Sequence, residues 1–132
     1  MIIRRVVLGT NIFVSALLTP EGKPAQIYRM FLDGALSLFF SAGIFEEYQD
    51  VLQRTRLGIP AKDREIVLAA VLQHGEKIEP MQGTNNMVDE DDRFFYDTAK
   101  SADAYLITGN IKHYPQEPFI LTPAEFLELL VK

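Results

Sequence analysis

Apolar residues recur along this chain in two rhythms. Short runs such as Val6-Val7-Leu8 and Leu36–Phe40 are apolar with little or no alternation, while longer stretches repeat apolar residues three and four apart. The first rhythm suits a strand covered on both faces, the second a helix with one buried stripe. Ile2–Leu8 reads as a strand, broken by Gly9-Thr10-Asn11. A helix over Asn11–Leu18 follows, with Thr10 as a candidate N-cap. Thr19-Pro20-Glu21-Gly22 is a turn, and Lys23–Asp33 is a second helix through Ile27, Met30 and Phe31, stopped at Gly34. Leu36–Phe40 is the next strand. Ser41 then caps a helix whose Ile44, Tyr48, Val51 and Leu52 share a stripe. Pro60–His74 is expected to be helical, with Ile66, Ala69, Ala70 and Val71 inward and Gly75 after its last turn.

In the second half, Lys77–Pro80 reads as a short strand and Gln82–Val88 as a polar loop. Asp92–Asp103 is a helix with Phe95, Ala99 and Ala102 on one face. Ala104–Thr108 is a strand ended by Gly109, and Phe119–Leu121 is another. Thr122-Pro-Ala-Glu125 has the form of a capping box with proline at the first helical position. Phe126, Leu127, Leu130 and Val131 are expected to face the core. Strands alternating with helices predict an α/β fold: three layers, α/β/α, around a mainly parallel sheet of four to five strands. Sites in such folds lie beyond the carboxyl ends of the strands. That directs attention to Gly9-Thr10-Asn11, the segment after Phe40, and Thr108-Gly109-Asn110.

Composition narrows the chemistry. At 132 residues, the chain is expected to be one domain over 1–132 with a core of its own. Its 48% hydrophobic and 23% charged residues exclude a disordered or collagen-like chain. With no cysteine and only two histidines, there is no disulfide framework, thiolate nucleophile or multi-histidine metal site. The net charge of −5 gives no bulk attraction for nucleic acid. Arg4-Arg5 before an apolar stretch mimics a secretory signal, but Gly9, Thr10, Asn11 and Ser15 interrupt it and Pro20-Glu21 is no cleavage site. No run is long enough to span a membrane, so the expected setting is cytoplasmic.

The acids cluster at Asp89-Glu90-Asp91-Asp92, with Asp97 and Asp103 downstream. Acids are favoured at a helix N-terminus, which accounts for two or three of them. Asp92, however, falls in phase with Phe95, Ala99 and Ala102, and a carboxylate on the inward stripe near the strand tips also suits a divalent cation. Glu47 borders the stripe of its helix and reads either as a carboxylate at the edge of the core or as a ligand or base. Asp50 and Arg54 are an i, i+4 surface pair. Asn110 is a turn residue or a site residue, and Thr10 and Asn11 can cap a helix or hold a phosphate. His74, at a helix end, and His113, in a loop near Asn110, are weaker candidates. No nucleophile elbow, P-loop or dinucleotide fingerprint is present. Mg²⁺ and Mn²⁺ take oxygen ligands and often only one or two carboxylates, and such sites hydrolyse phosphodiesters.

These residues resemble a family. Val6-Val7-Leu8-Gly9-Thr10-Asn11-Ile12-Phe13-Val14-Ser15-Ala16 resembles the opening of PIN domains, where a hydrophobic strand runs into Asp-Thr-Asn. Ser41-x-x-x-x-Glu46-Glu47-Tyr48-x-x-Val51-Leu52 resembles their second motif, and Asp89-Glu-Asp-Asp92-Arg-Phe-Phe-Tyr-Asp-Thr-Ala99 the third. Leu106-Ile-Thr108-Gly-Asn110-x-Lys112-His113-Tyr114 resembles the fourth. The likeness is greatest to the toxin components of bacterial and archaeal toxin–antitoxin systems. It implies a Mg²⁺- or Mn²⁺-dependent ribonuclease, often a homodimer, held inactive by a cognate antitoxin. By the same resemblance, Glu47, Asp92 and Asn110 are metal-site positions and Thr10 and Asn11 the polar pair of the first motif. Arg93 and Lys112, beside motif residues, are the candidate RNA-binding cations, with Lys100 near. The first family acid falls on Gly9, which has no side-chain ligand, so impaired activity is expected. Two rival readings are a PIN-fold interaction module without catalysis and a receiver- or phosphatase-like domain. The last needs an aspartate where Gly9 stands.

Overall fold

The computed structural model describes residues 3–83, 87 and 90–131, with the side chain of residue 91 outside the description. Five strands form the sheet: β1 (Arg4–Leu8), β2 (Leu36–Phe40), β3 (Glu76–Lys77), β4 (Tyr105–Ile107) and β5 (Ile120–Leu121). Their order is β3-β2-β1-β4-β5 and every pairing is parallel. The α-helices are α1 (Thr10–Leu18), α2 (Lys23–Leu32), α3 (Ala42–Leu52), α4 (Ala61–His74), α5 (Arg93–Ala102) and α6 (Pro123–Leu130). Val6, Val7 and Leu8 have no solvent exposure, so helices cover both faces of the central strand. One group packs α2 beside α6, and α5 lies against β1, β2 and β4. This is the α/β architecture that the alternation of patterns predicts.

Element ends follow local chemistry. The Ser41 hydroxyl accepts from the Ile44 amide at 3.3 Å and opens α3. The capping box of α6 is complete: Thr122 and Glu125 exchange bonds of 2.9 and 3.2 Å. α5 closes through Asp103, whose φ of 52° is left-handed and which the short polar aspartate tolerates.

Several expectations need correction. Thr10 is the first residue of α1 and not its N-cap; that position is Gly9, which has no side chain to cap with. α4 buries Val67, Ala70 and Val71, while Ile66 is 51% exposed and Ala69 also faces solvent. Apolar residues surround this helix almost evenly through Ile66–Leu72, so its period leaves the stripe undetermined and packing chooses a phase one residue away. Val131 is 82% exposed, because α6 ends at Leu130. The third strand is Glu76–Lys77, one residue earlier and shorter than Lys77–Pro80. Residues 84–86, 88 and 89 of the expected Gln82–Val88 loop and acidic cluster lie outside the described residues.

Candidate active site

The sheet order places the first switch in winding between β1 and β4, and the carboxyl ends of these two strands meet there. The Gly9 amide donates to the Ile107 carbonyl at 2.9 Å and continues the ladder one residue past β1. Beyond β4, the buried Thr108 hydroxyl accepts from the Asn110 amide at 3.0 Å, which turns the chain sharply. The Asn11 side chain lies beside both tips: a Cβ built on Gly9 would stand 3.3 Å from its Oδ1. A methyl group added at Gly109 would stand 2.5 Å from Asn11 Nδ2, so a larger residue there would push the Asn11 amide aside.

Glu47 is delivered by α3. Its neighbour Tyr48 is fully buried and donates its hydroxyl to the Leu8 carbonyl at 2.5 Å, fastening α3 to the end of β1. Burial pushes the Tyr48 phenol well above its usual range, and the charge of Glu47 adds to the shift. Thr10 donates its hydroxyl to Glu47 Oε2. The Thr10 side chain is thus spent on orienting a carboxylate.

Asp92 stands at the N-cap position of α5, yet its side chain makes no capping hydrogen bond to the helix. One carboxylate oxygen lies 3.4 Å from His113 Nδ1, in the short 3₁₀ turn Ile111–His113 after β4. Asp92, Glu47, Thr10, Asn11, Asn110 and the backbone of Gly9 line one cleft of about 470 Å³. The structure therefore brings together the candidates from all four sequence segments.

Arg93 and Lys112 are not among the residues lining that cleft. Arg93 donates to Glu90 at 2.8 Å and to the Gly83 carbonyl at 2.9 Å, and lies 3.9 Å from the buried Asp97 carboxylate. It lines a separate depression with Glu90, Phe94 and Asp97. Lys100 instead sits 5.7 Å over the Tyr96 ring. His74 ends α4 with its ring edge-on to Phe31. Among the described residues, Arg54 and Arg56, after α3, do line the cleft. A sequence signal for Arg54 existed: Glu47, Val51 and Arg54 share one helical stripe at i, i+4 and i+7. Its pairing with Asp50, 3.7 Å away, leaves it 45% exposed.

Glu47, Asp92 and Asn110 can offer hard oxygen, and the His113 ring lines the cleft beside them. Among the described residues, no three Asp, Glu or His side chains are grouped to hold a metal ion. Two carboxylates in one cleft suit a cation that keeps most of its own water, as Mg²⁺ and Mn²⁺ do, and not an all-protein cage.

A family model described as PIN domain matches residues 5–112. The chain belongs to the PIN-domain family. It is similar to the uncharacterized protein MJ1680 of Methanocaldococcus jannaschii, with 29% identity over 109 residues, covering 80% of this chain and 70% of that one. Two solved structures share its fold. VapBC2 from Rickettsia felis, bound to a DNA fragment from their promoter, aligns with a TM-score of 0.59 at 17% identity, over 89% of this chain and 96% of that one. PAE2754 from Pyrobaculum aerophilum aligns with a TM-score of 0.61 at 14% identity, over 98% and 90%.

Proposed function

We propose that this chain is a metal-dependent endoribonuclease of the PIN type, the toxin of a toxin–antitoxin pair, with a site impaired at Gly9. The observation that carries the reading is the meeting of Glu47 and Asp92, from different helices, in one cleft beyond the tips of β1 and β4. Glu47 and Asp92 would hold Mg²⁺ or Mn²⁺, and Asn110 would contribute through water or by positioning a ligand. A divalent cation bound there supplies an activated water and neutralises charge on the phosphate. Thr10 holds Glu47 in place through its hydroxyl. Asn11, beside both strand tips, would order the first loop and the phosphate. The cationic contacts expected of Arg93 and Lys112 fall in this reading to Arg54 and Arg56, which line the cleft. RNA is the substrate and a cognate antitoxin the partner, the latter supported by the likeness to VapBC2. A homodimer and a cytoplasmic setting complete the proposal. Among the described residues no helix is long and apolar enough to cross a membrane.

The test compares this chain with Gly9→Asp on single-stranded RNA, with Mg²⁺, Mn²⁺ or a chelator. Restoring a ligand is expected to raise cleavage by roughly a hundredfold, a few kcal/mol of transition-state stabilisation, and the chelator should abolish it. Equal metal-dependent cleavage by both chains would mean that position 9 does not matter. The second reading, an interaction module without catalysis, rests on Gly9 itself. Partner binding with no cleavage even by Gly9→Asp would favour it.

A further inference from the structure

Helix α5 buries Phe95, Tyr96, Ala99 and Ala102 and turns Phe94 outward, where the residue is 45% exposed. The ring is not loose. A methyl group placed on Gly43 of α3 would lie 2.7, 2.8 and 2.9 Å from Cδ1, Cε1 and Cγ of Phe94. Such similar distances to three ring atoms mean that one face of the ring lies flat on the backbone of α3. The glycine makes this possible, since any side chain there would lift the ring. Phe94 also lines a depression of about 280 Å³ with Glu46, Glu47, Asp50 and Arg54. Glu47 and Arg54 line the carboxylate cleft as well, so the two hollows share a wall. A supported aromatic face, a half-exposed guanidinium paired with Asp50, and the carboxylate cleft therefore adjoin one another along the surface, with Glu46 at their edge.

Single-stranded nucleic acid is held by this combination: rings take the bases and cations follow the backbone. We propose that Phe94 is a stacking platform for one base of a single-stranded RNA, with Arg54 on the adjoining phosphate and the next linkage in the Glu47–Asp92 cleft. The proposal rests on the nuclease reading and adds a specificity-determining residue to it. Stacking alone tolerates every base, so the platform selects unpaired RNA and not a sequence. A duplex, whose bases are already stacked, has none to offer the ring.

The chain contains no tryptophan, so Phe94→Trp creates a single fluorescent reporter at the platform. The ligand is oligoadenylate of about ten nucleotides, titrated in chelator so that nothing is cleaved. Phe94→Trp is expected to bind like the parent chain with quenched emission. Phe94→Leu, apolar but without a ring, should bind about tenfold more weakly. Gly43→Ala, which displaces the ring without removing it, should weaken binding as well, with circular dichroism checking that each variant folds. Parent-like binding by Phe94→Leu, or unchanged tryptophan emission at saturation, overturns the platform. If Gly9→Asp still cleaves RNA in that case, the nuclease reading survives without the platform. If the parent binds no oligonucleotide and Gly9→Asp cleaves nothing, both fall together.

Discussion

Gly9 adopts φ −62° and ψ 152°, a conformation open to any L residue. Nothing in its backbone calls for glycine. A Cβ there would meet Asn11 Oδ1 and the Ile107 carbonyl at 3.3 Å and Thr108 Oγ1 at 3.4 Å, tight but within reach of small shifts. Aspartate can therefore be built at this position, but it would bring a negative charge to a spot lined by oxygen and shared with Glu47 and Asp92. Without a compensating cation, like charges so placed repel. Gly9→Asp is expected to melt below the parent chain in chelator and to recover on adding Mg²⁺ or Mn²⁺. At a hundredfold excess over the dissociation constant, linkage returns about 2.7 kcal/mol. Thermal denaturation of both chains across a metal titration checks this, and equal metal response by the parent would sink it. Asp92 and Asn110 show the reach of sequence at this scale. The helical phase marked Asp92 as inward, but phase could not tell a cap from a ligand. In the structure Asp92 makes no capping bond to α5; it lies 3.4 Å from His113 Nδ1 and lines the cleft with Asn110.

Helix α3 carries the site because it is tied at both ends of its first two turns. Ser41 caps its start, and Tyr48 anchors its second turn to the Leu8 carbonyl. Tyr48→Phe keeps the ring, including its edge-on contact with Phe13, and removes only the donor. An unsatisfied buried carbonyl costs about 1–3 kcal/mol, and chemical denaturation should read a loss in that range. The same variant should loosen Glu47, since β1 and α3 are joined at this point. A Tyr48→Phe chain with unchanged stability would show that packing alone fixes α3. The apolar stripe of α3 was readable because polar residues flank it on both sides. That of α4 was not, because Ile66 and Leu72 extend the apolar surface around the helix; both remain exposed, at 51% and 59%.

Across the whole molecule, two buried phenols are expected to make the fold sensitive to alkali. Burial, followed by the Glu47 charge, raises Tyr48 well above its usual value. Burial and the hydrogen bond to Glu117 raise Tyr96 to about 12. A phenol that titrates higher in the folded chain stays protonated there while its unfolded counterpart, near 10, has already lost its proton. Its contribution is complete below pH 10 and fades as pH climbs from 10 through the folded value. Melting temperature is therefore expected to fall between pH 10 and about 12, less steeply in Tyr96→Phe. Identical alkaline profiles for the parent and that variant would overturn the assignment.

Local patterning determined the order of strands and helices, the caps at Ser41 and Thr122, the parallel α/β class and the segments that carry chemistry, because each is written within one turn or one strand. Only the tertiary structure decided which of those segments share a cleft. The β3-β2-β1-β4-β5 order brings the ends of β1 and β4 side by side and draws α3 and α5 toward them. It placed Arg54 and Arg56 at the cleft, with Arg93 and Lys112 outside its lining, and laid Phe94 on Gly43. Residues distant in the chain converge through crossovers and sheet order, which no periodicity along a single element records.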